Sequence, residues 1–272
     1  VAQQSDLDLA QHLADLADEV TLRRFRACDL LVATKPDHTP VTDADTAVED
    51  LVRAHLAVHR PGDAVLGEEE GLVAGDGSTA AAGQDRRWVL DPIDGTKSYA
   101  RGVPVWATLL SLEVHAVPQV AVVSAPALGR RWWAVRGEGA HGRDLAGEVR
   151  RLRVSGVGDP ADASLSYSSL SGWQDLGLLP GFLALCDSMW RTRAYGDFWS
   201  HVMVAEGLVD LAAEPVVNRW DLSAVALLVT EAGGRFTGLD GVDGPGQGSA
   251  LASNSLLHGH ALAHLGIAAP AT

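Results

Sequence analysis

Two cysteines in 272 residues, Cys28 and Cys186, are too few for a disulfide framework or a thiolate metal site. Lysine is equally scarce: Lys35 and Lys97 stand alone, and the other basic residues are arginines, as a GC-rich genome favours. Acids outnumber bases 35 to 21, a formal charge of −14 that leaves no basic stripe to displace counterions and excludes nucleic acid as a partner. No apolar run approaches the roughly 20 residues that span a bilayer, so no membrane partner is expected. The opening residues "VAQQSDLDLAQ" lack the basic and apolar regions of a signal peptide. No G-x-S-x-G and no P-loop occurs. What is present is 47% hydrophobic residues, enough for a sizeable core and consistent with a cytoplasmic chain.

Ser5 can cap a helix over about 6–26, where Leu9, Leu13, Leu16, Ala17 and Val20 recur at helical spacing. Thr42 can cap a second over about 43–59, with Asp45 in the capping-box position and Pro61 and Gly62 to stop it. Short apolar runs then alternate with turn residues: "AVLG", "RWVL", "ATLLSLEV", "QVAVVSAP", "RRWWAVRG" and "RLRVS" read as a mostly antiparallel sheet. The Gly/Ala-rich stretch 71–85 reads as a mobile loop. From about 155, "ASLSYSSL", "RTRAYG", "RFTGLDG" and "SALAS" read as strands, and 178–188, 199–209 and 221–232 as helices. The glycines of "EAGG" suit a C-cap, and Ser255 stands where it would cap a terminal helix. Two halves, 1–150 and 151–272, are the simplest division. The first carries Glu68, Asp91 and Asp94, the second Asp197, Glu214 and Asp221.

Residues 88–99 read "WVLDPIDGTKSY", an apolar strand running into two carboxylates. Asp91 and Asp94 flank Pro92, Gly95 permits a sharp turn, and Thr96 can begin a helical turn whose N–H groups suit a phosphate oxygen. Carboxylates this close repel each other unless a cation lies between them. Further acids follow in "LGEEE" (Glu68, Glu69, Glu70) and at Asp221, with Glu214 seven residues upstream of it. Oxygen donors without His or Cys favour Mg²⁺ or Mn²⁺. Each signal alone has a plainer reading: turn chemistry for Asp-Pro and Asp-Gly, a solvated loop for "GEEE", a helix N-cap for Asp221.

Together, "GEE", "WVLDPIDGTKSY" and "WDLSAVALLVTEAGG", in this order and at these separations, resemble the inositol monophosphatase-like family of metal-dependent phosphatases. The resemblance runs from "TKPDHTPVTDAD" to "EAGG"; Ser98 departs from the family's usual Asn. It implies an α/β (α+β) five-layer αβαβα sandwich of the inositol monophosphatase / fructose-1,6-bisphosphatase type. It also implies up to three Mg²⁺ per subunit, with Mn²⁺ able to substitute, and a homodimer. By motif match, Glu68, Asp91 and the Ile93 carbonyl hold the first metal, Asp91, Asp94 and Asp221 the second, and Glu68 the looser third. Asp45 and Thr96 match the pair that orients the attacking water, Gly95 and Thr96 hold the phosphate, and Glu214 faces the alcohol.

Rival readings are weaker. "DADT" (43–46) matches the nucleophile motif of haloacid-dehalogenase phosphatases, but the segment before Asp43 is polar and broken by prolines rather than an apolar strand. His55 and His59 have zinc spacing without the companion Glu, and read as a helix-surface pair. His258, His260 and His264 read as surface residues, and at least one of Trp132 and Trp133 as core. A non-catalytic binding protein of this fold would be expected to lose a ligand, whereas every acid of the motif is kept. Asp197 stands where inositol-specific members carry a small or hydroxylic residue. A second acid beside Glu214 suits a cationic alcohol such as histidinol, although Asp197 could also cap the helix that follows. "GVPVWA", "VSAPALGRRWWAVRGEGA" and "RAYGDF" look like the actinobacterial branch that acts on histidinol phosphate in histidine biosynthesis. L-Histidinol phosphate is therefore the expected substrate, with inositol-1-phosphate or another small phosphomonoester as the alternative.

Overall fold

The computed structural model describes residues 5–36, 38–74 and 85–265. The chain divides into two compact units: residues 1–136 with 142–150, and residues 137–141 with 151–272.

Up to residue 136 the elements are α1 (Asp6–Arg24), β1 (Val32–Thr34), β2 (Pro40–Thr42), α2 (Asp43–His59), β3 (Ala64–Gly67), β4 (Gly71–Val73), β5 (Arg86–Asp94), α3 (Thr96–Ala100), β6 (Ala107–Val114), β7 (Val117–Ala125) and β8 (Arg130–Val135); β9 (Gly139–Arg143) and β10 (Val149–Arg151) follow, each with residues assigned to both units. Ser5 caps α1 by accepting the Asp8 N–H at 3.1 Å. That helix stops at Arg24, because Phe25 turns extended and Arg26 takes φ 60°. Thr42 and Asp45 form the capping box that opens α2: the Thr42 hydroxyl accepts from Asp45 N, and Asp45 Oδ2 accepts the Thr42 N–H at 2.8 Å.

The sheet runs β10-β9-β8-β7-β6-β5-β3-β4. β3 and β5 are parallel, whereas β3–β4, β5–β6, β6–β7 and β7–β8 are antiparallel. β5 and β6 carry almost unbroken runs of buried residues, as central strands covered on both faces do. Leu9, Leu13 and Ala17 of α1 and Val48, Val52 and Leu56 of α2 close over Trp88, Leu90, Leu110 and Val122 of the sheet. Each such Leu or Val side chain removed from water contributes about 1.5–3 kcal/mol, which holds the two helices against the sheet. Trp132 is fully buried on β8.

Three details differ from the sequence reading. β1 and β2 pair antiparallel in a stretch to which the sequence reading assigned no element. β4 occupies Gly71–Val73, the start of the loop expected over 71–85; residues 75–84 lie outside the described residues. "RLRVS" supplies only the last residue of β10.

The second unit continues with β11 (Ser164–Tyr167), α4 (Ser171–Asp175), α5 (Leu179–Ser188), β12 (Arg191–Arg193), α6 (Asp197–Ala205), β13 (Leu211–Glu214), α7 (Arg219–Glu231), β14 (Arg235–Thr237), β15 (Ala250–Ser253) and α8 (His258–Leu265). Its sheet order is β12-β11-β13-β15-β14. β13, at the centre, was missed because "LAAE" is short and adjoins the helical pattern of 199–209; α6 in fact ends at Ala205, and Gly207 takes φ 71°. Trp173 stacks on Phe182, ring centres 4.3 Å apart, within a core that includes Leu165, Leu185, Leu211 and Leu251.

Ser255 does not cap α8: its hydroxyl donates to the Gly233 carbonyl, while Asn254 Oδ1 accepts the Leu257 N–H. His258, expected on the surface, is buried. Thr237 Oγ1 donates to Gly238 O, so it accepts from His258 Nε2 at 3.0 Å. Ser253 then donates to Nδ1 at 2.8 Å, which fixes the neutral tautomer. Burial, with the nearby Arg235 charge, pushes the imidazole down to about 4. Among the described residues no helix is long and apolar enough to cross a membrane.

Candidate metal and phosphate site

A regular strand points residues three apart to opposite faces. β5 avoids this with a bulge: Asp91 pairs with Leu109 and Asp94 with Ala107, three residues against two. The extra residue brings Asp94 back to the side of Asp91, and carboxylate oxygens of the two lie within 4.8 Å. The bulge is pinned locally. Asp91 Oδ1 accepts the Ile93 N–H at 3.0 Å, and Thr108 Oγ1 donates to the Pro92 carbonyl at 2.8 Å. Asp91 is 1% exposed and Asp94 8%. Two acids so placed in a dry strand end call for a cation.

The turn that follows needs glycine, since Gly95 takes φ 86°. It delivers Thr96 to the first position of α3, where Oγ1 donates to Ile93 O at 2.9 Å and lies 3.4 Å from Asp45 Oδ1. Ser98, which stands in place of the family's Asn, accepts the Arg101 and Val103 N–H groups at its backbone carbonyl.

Asp45 is fully buried, and burial raises its carboxyl to about 6; the Thr42 hydroxyl and N–H hold it down, and the Glu68 charge pushes it up. Glu68 follows β3, and its N–H donates to Leu90 O on β5. Lys35 Nζ bridges Glu68 Oε1 at 2.8 Å and Glu69 Oε1 at 2.7 Å. Burial opposes the Lys35 charge, but its two carboxylate partners outweigh it and hold the amine above its ordinary range. Burial lifts Glu69 to about 7 against the pull of Lys35. The sequence reading noted Lys35 as one of two lysines and gave it no role. The acids that the structure brings together in this unit, Asp91 and Asp94, offer oxygen donors alone, while Glu68 Oε1 is held by Lys35. That chemistry fits a hard divalent cation such as Mg²⁺.

Asp43, the first acid of "DADT", opens α2 and is held by Arg24 at 2.7 Å. It neither ends an apolar strand nor joins the other acids.

In the second unit Glu214 ends β13, 6% exposed, with Oε1 3.1 Å from His201 Nε2 on α6. His201 carried no signal in the sequence beyond its place on an apolar helix. Asp197 is not the cap of α6. Gly196 occupies that position, and Asp197 is the first helical residue at φ 50°, a left-handed conformation uncommon outside glycine. Nor does Asp221 cap α7: Asn218 does, and Asp221 Oδ2 accepts the Asn218 N–H at 2.8 Å from the third helical position.

This arrangement of bulged acids, glycine turn and hydroxyl is that of a metal-dependent phosphatase, and the chain belongs to the inositol monophosphatase family, whose model matches residues 2–269. Among its relatives are a histidinol-phosphatase from Streptomyces coelicolor, 58% identical over 96% of each chain, and one from Mycobacterium tuberculosis, 58% identical over 96% of this chain and 97% of its own. The solved SuhB protein of Bartonella henselae shares the fold with a TM-score of 0.84 and 25% identity, covering 95% of this chain and 97% of its own.

Proposed function

We propose that the protein is a Mg²⁺-dependent phosphomonoesterase that hydrolyses L-histidinol phosphate in histidine biosynthesis. The observation that carries this reading is the 58% identity to two histidinol-phosphatases over nearly the full length of all three chains. The reading places the enzyme in the cytoplasm as a homodimer.

Glu68, Asp91, Asp94, Asp221 and the Ile93 carbonyl are the residues that would hold up to three Mg²⁺, with Mn²⁺ able to substitute. Bound there, the cations would supply charge neutralisation for the phosphoryl group and lower the pKa of water. The chain's own residues do the rest. The single Thr96 hydroxyl hydrogen lies between two acceptors, Ile93 O at 2.9 Å and Asp45 Oδ1 at 3.4 Å. Given to either, it leaves Thr96 Oγ1 with lone pairs to accept from the attacking water, which Asp45 and Glu68 help hold. The Gly95 and Thr96 N–H groups, on a turn that glycine alone adopts without strain, hold phosphate oxygens. Asp94 lies beside them on the bulge. Water attacks phosphorus directly, so no residue becomes phosphorylated. Glu214 and Asp197 face the alcohol, and two carboxylates there favour the ammonium and imidazole of histidinol over a neutral polyol. Phosphate release from L-histidinol phosphate with and without Mg²⁺ tests the proposal.

A further inference from the structure

Glu49 is the most deeply buried acid on α2 after Asp45, its side chain 1% exposed, and it has no part in the site described above. Its carboxylate points at the turn that carries Glu68. Oε2 accepts the Glu69 N–H at 2.9 Å and Oε1 the Glu70 N–H at 3.0 Å. Arg53, one helical turn on, donates to Glu49 Oε1 through Nη2 at 2.6 Å and Nε at 3.0 Å. The same guanidinium donates to Gly71 O at 2.7 Å and Val65 O at 3.3 Å, so it grips both strands that flank the turn. Gly67 completes the fit, because a Cβ there would fall on the Glu49 carboxylate. From the other side, Lys35 holds the Glu68 and Glu69 carboxylates.

We propose that Glu49, braced by Arg53 and admitted by Gly67, is a positioning residue that sets the Glu68 turn for metal binding. The inference rests on the role given to Glu68 above. An acid with two peptide N–H groups and a guanidinium as donors fixes a turn more firmly than neutral partners do. The turn residues themselves have only weak local preferences, so their shape is imposed from α2. In Glu49→Gln one acceptor oxygen becomes an NH₂ that faces N–H donors, with size and shape unchanged.

The test uses the full chain without metal and then with Mg²⁺. Glu49→Gln is expected to speed hydrogen exchange at the Glu69 and Glu70 amides at least tenfold in the metal-free protein. Calorimetry should show Mg²⁺ bound at least tenfold more weakly, and kcat at saturating Mg²⁺ should fall less than threefold. Gly67→Ala should move all three readouts in the same direction. Glu49→Ala combined with Gly67→Ala should be no worse than Glu49→Ala alone, because removing the carboxylate makes room for the methyl. Should Glu49→Gln fail to fold, Glu49→Asp, which keeps the charge one methylene short of the turn, serves for the same comparison. Glu113→Gln is the control: Glu113 is a fully buried acid paired with Arg87 at 2.5 Å, and its loss should leave Mg²⁺ affinity unchanged. Wild-type Mg²⁺ affinity and amide exchange in Glu49→Gln, or equal weakening of Mg²⁺ binding in Glu113→Gln, overturns the proposal. Absence of Mg²⁺ binding by the unmodified protein removes the metal reading and this inference together, whereas unchanged exchange at Glu69 and Glu70 removes the inference alone.

Discussion

The hydroxyl of Thr96 lies 3.4 Å from Asp45 Oδ1 across 51 positions of sequence, joining the start of α2 to the turn after β5. Neither residue reads as catalytic by itself: one is a capping-box acid, the other the first residue of a one-turn helix. Their contact sets a hydroxyl, whose hydrogen also reaches the Ile93 carbonyl at 2.9 Å, beside a buried carboxylate. Thr96→Ala and Asp45→Asn should each lower kcat about 10²-fold or more, the usual range for a group that handles a proton in the transition state, with KM changed little. Asp43→Asn, two residues away and paired with Arg24, should lose no more than a few-fold. Steady-state phosphate release from the three variants checks this, and an acyl-phosphate trapped on Asp43 contradicts it.

Chelation is expected to abolish activity and added Mg²⁺ to restore it. Asp91 is the acid assigned to two cations, so Asp91→Asn should be among the most damaging single changes while the protein stays folded by circular dichroism. Near-normal turnover in Asp91→Asn would remove Asp91 from the metal site.

The buried His258 predicts a pH dependence of stability. Its folded pKa of about 4 lies below the unfolded value near 6.5, so between these pH values the unfolded chain binds a proton that the folded chain does not. The site costs nothing above pH 6.5, and stability falls as pH drops toward 4, by at most about 1.4 kcal/mol per pH unit. Urea unfolding at pH 7.5 and pH 5.0 should show a smaller loss in His258→Gln than in the unmodified protein. Equal losses would mean that His258 protonates freely in the folded state.

Much of the fold was legible where local chemistry and tertiary structure agree. Ser5 and Thr42 cap the helices that their side chains announce, and β6 and β7 follow segments rich in apolar residues. β13 was hidden because a run of only four residues, "LAAE", carries no period of its own; the strand exists because β11 and β15 flank it. His258 looked exposed because a polar residue near the C-terminus usually is, and only the Ser253 and Thr237 hydroxyls explain its burial. At the site, the acids could be read from "WVLDPIDGTKSY", but not the bulge that turns Asp91 and Asp94 to one side. Lys35, Glu49 and His201 act through partners 13 to 34 residues away, a separation no local pattern encodes.

Asp197 should matter to one substrate and not to another. It stands one residue past the Gly196 cap position at the head of α6, and a charge-assisted contact is worth roughly 1.5–3 kcal/mol, about tenfold to hundredfold in rate. Asp197→Ala should lower kcat/KM for L-histidinol phosphate by that factor and leave inositol-1-phosphate nearly unchanged. Equal losses on both would give Asp197 a structural role only.

The most direct measurement is phosphate release by the unmodified protein in Mg²⁺, with L-histidinol phosphate, inositol-1-phosphate, fructose-1,6-bisphosphate and adenosine-3′,5′-bisphosphate compared at equal concentrations. The account predicts the highest kcat/KM for L-histidinol phosphate, and none for any substrate once Mg²⁺ is chelated. A preference for inositol-1-phosphate, or turnover that survives chelation, would contradict it.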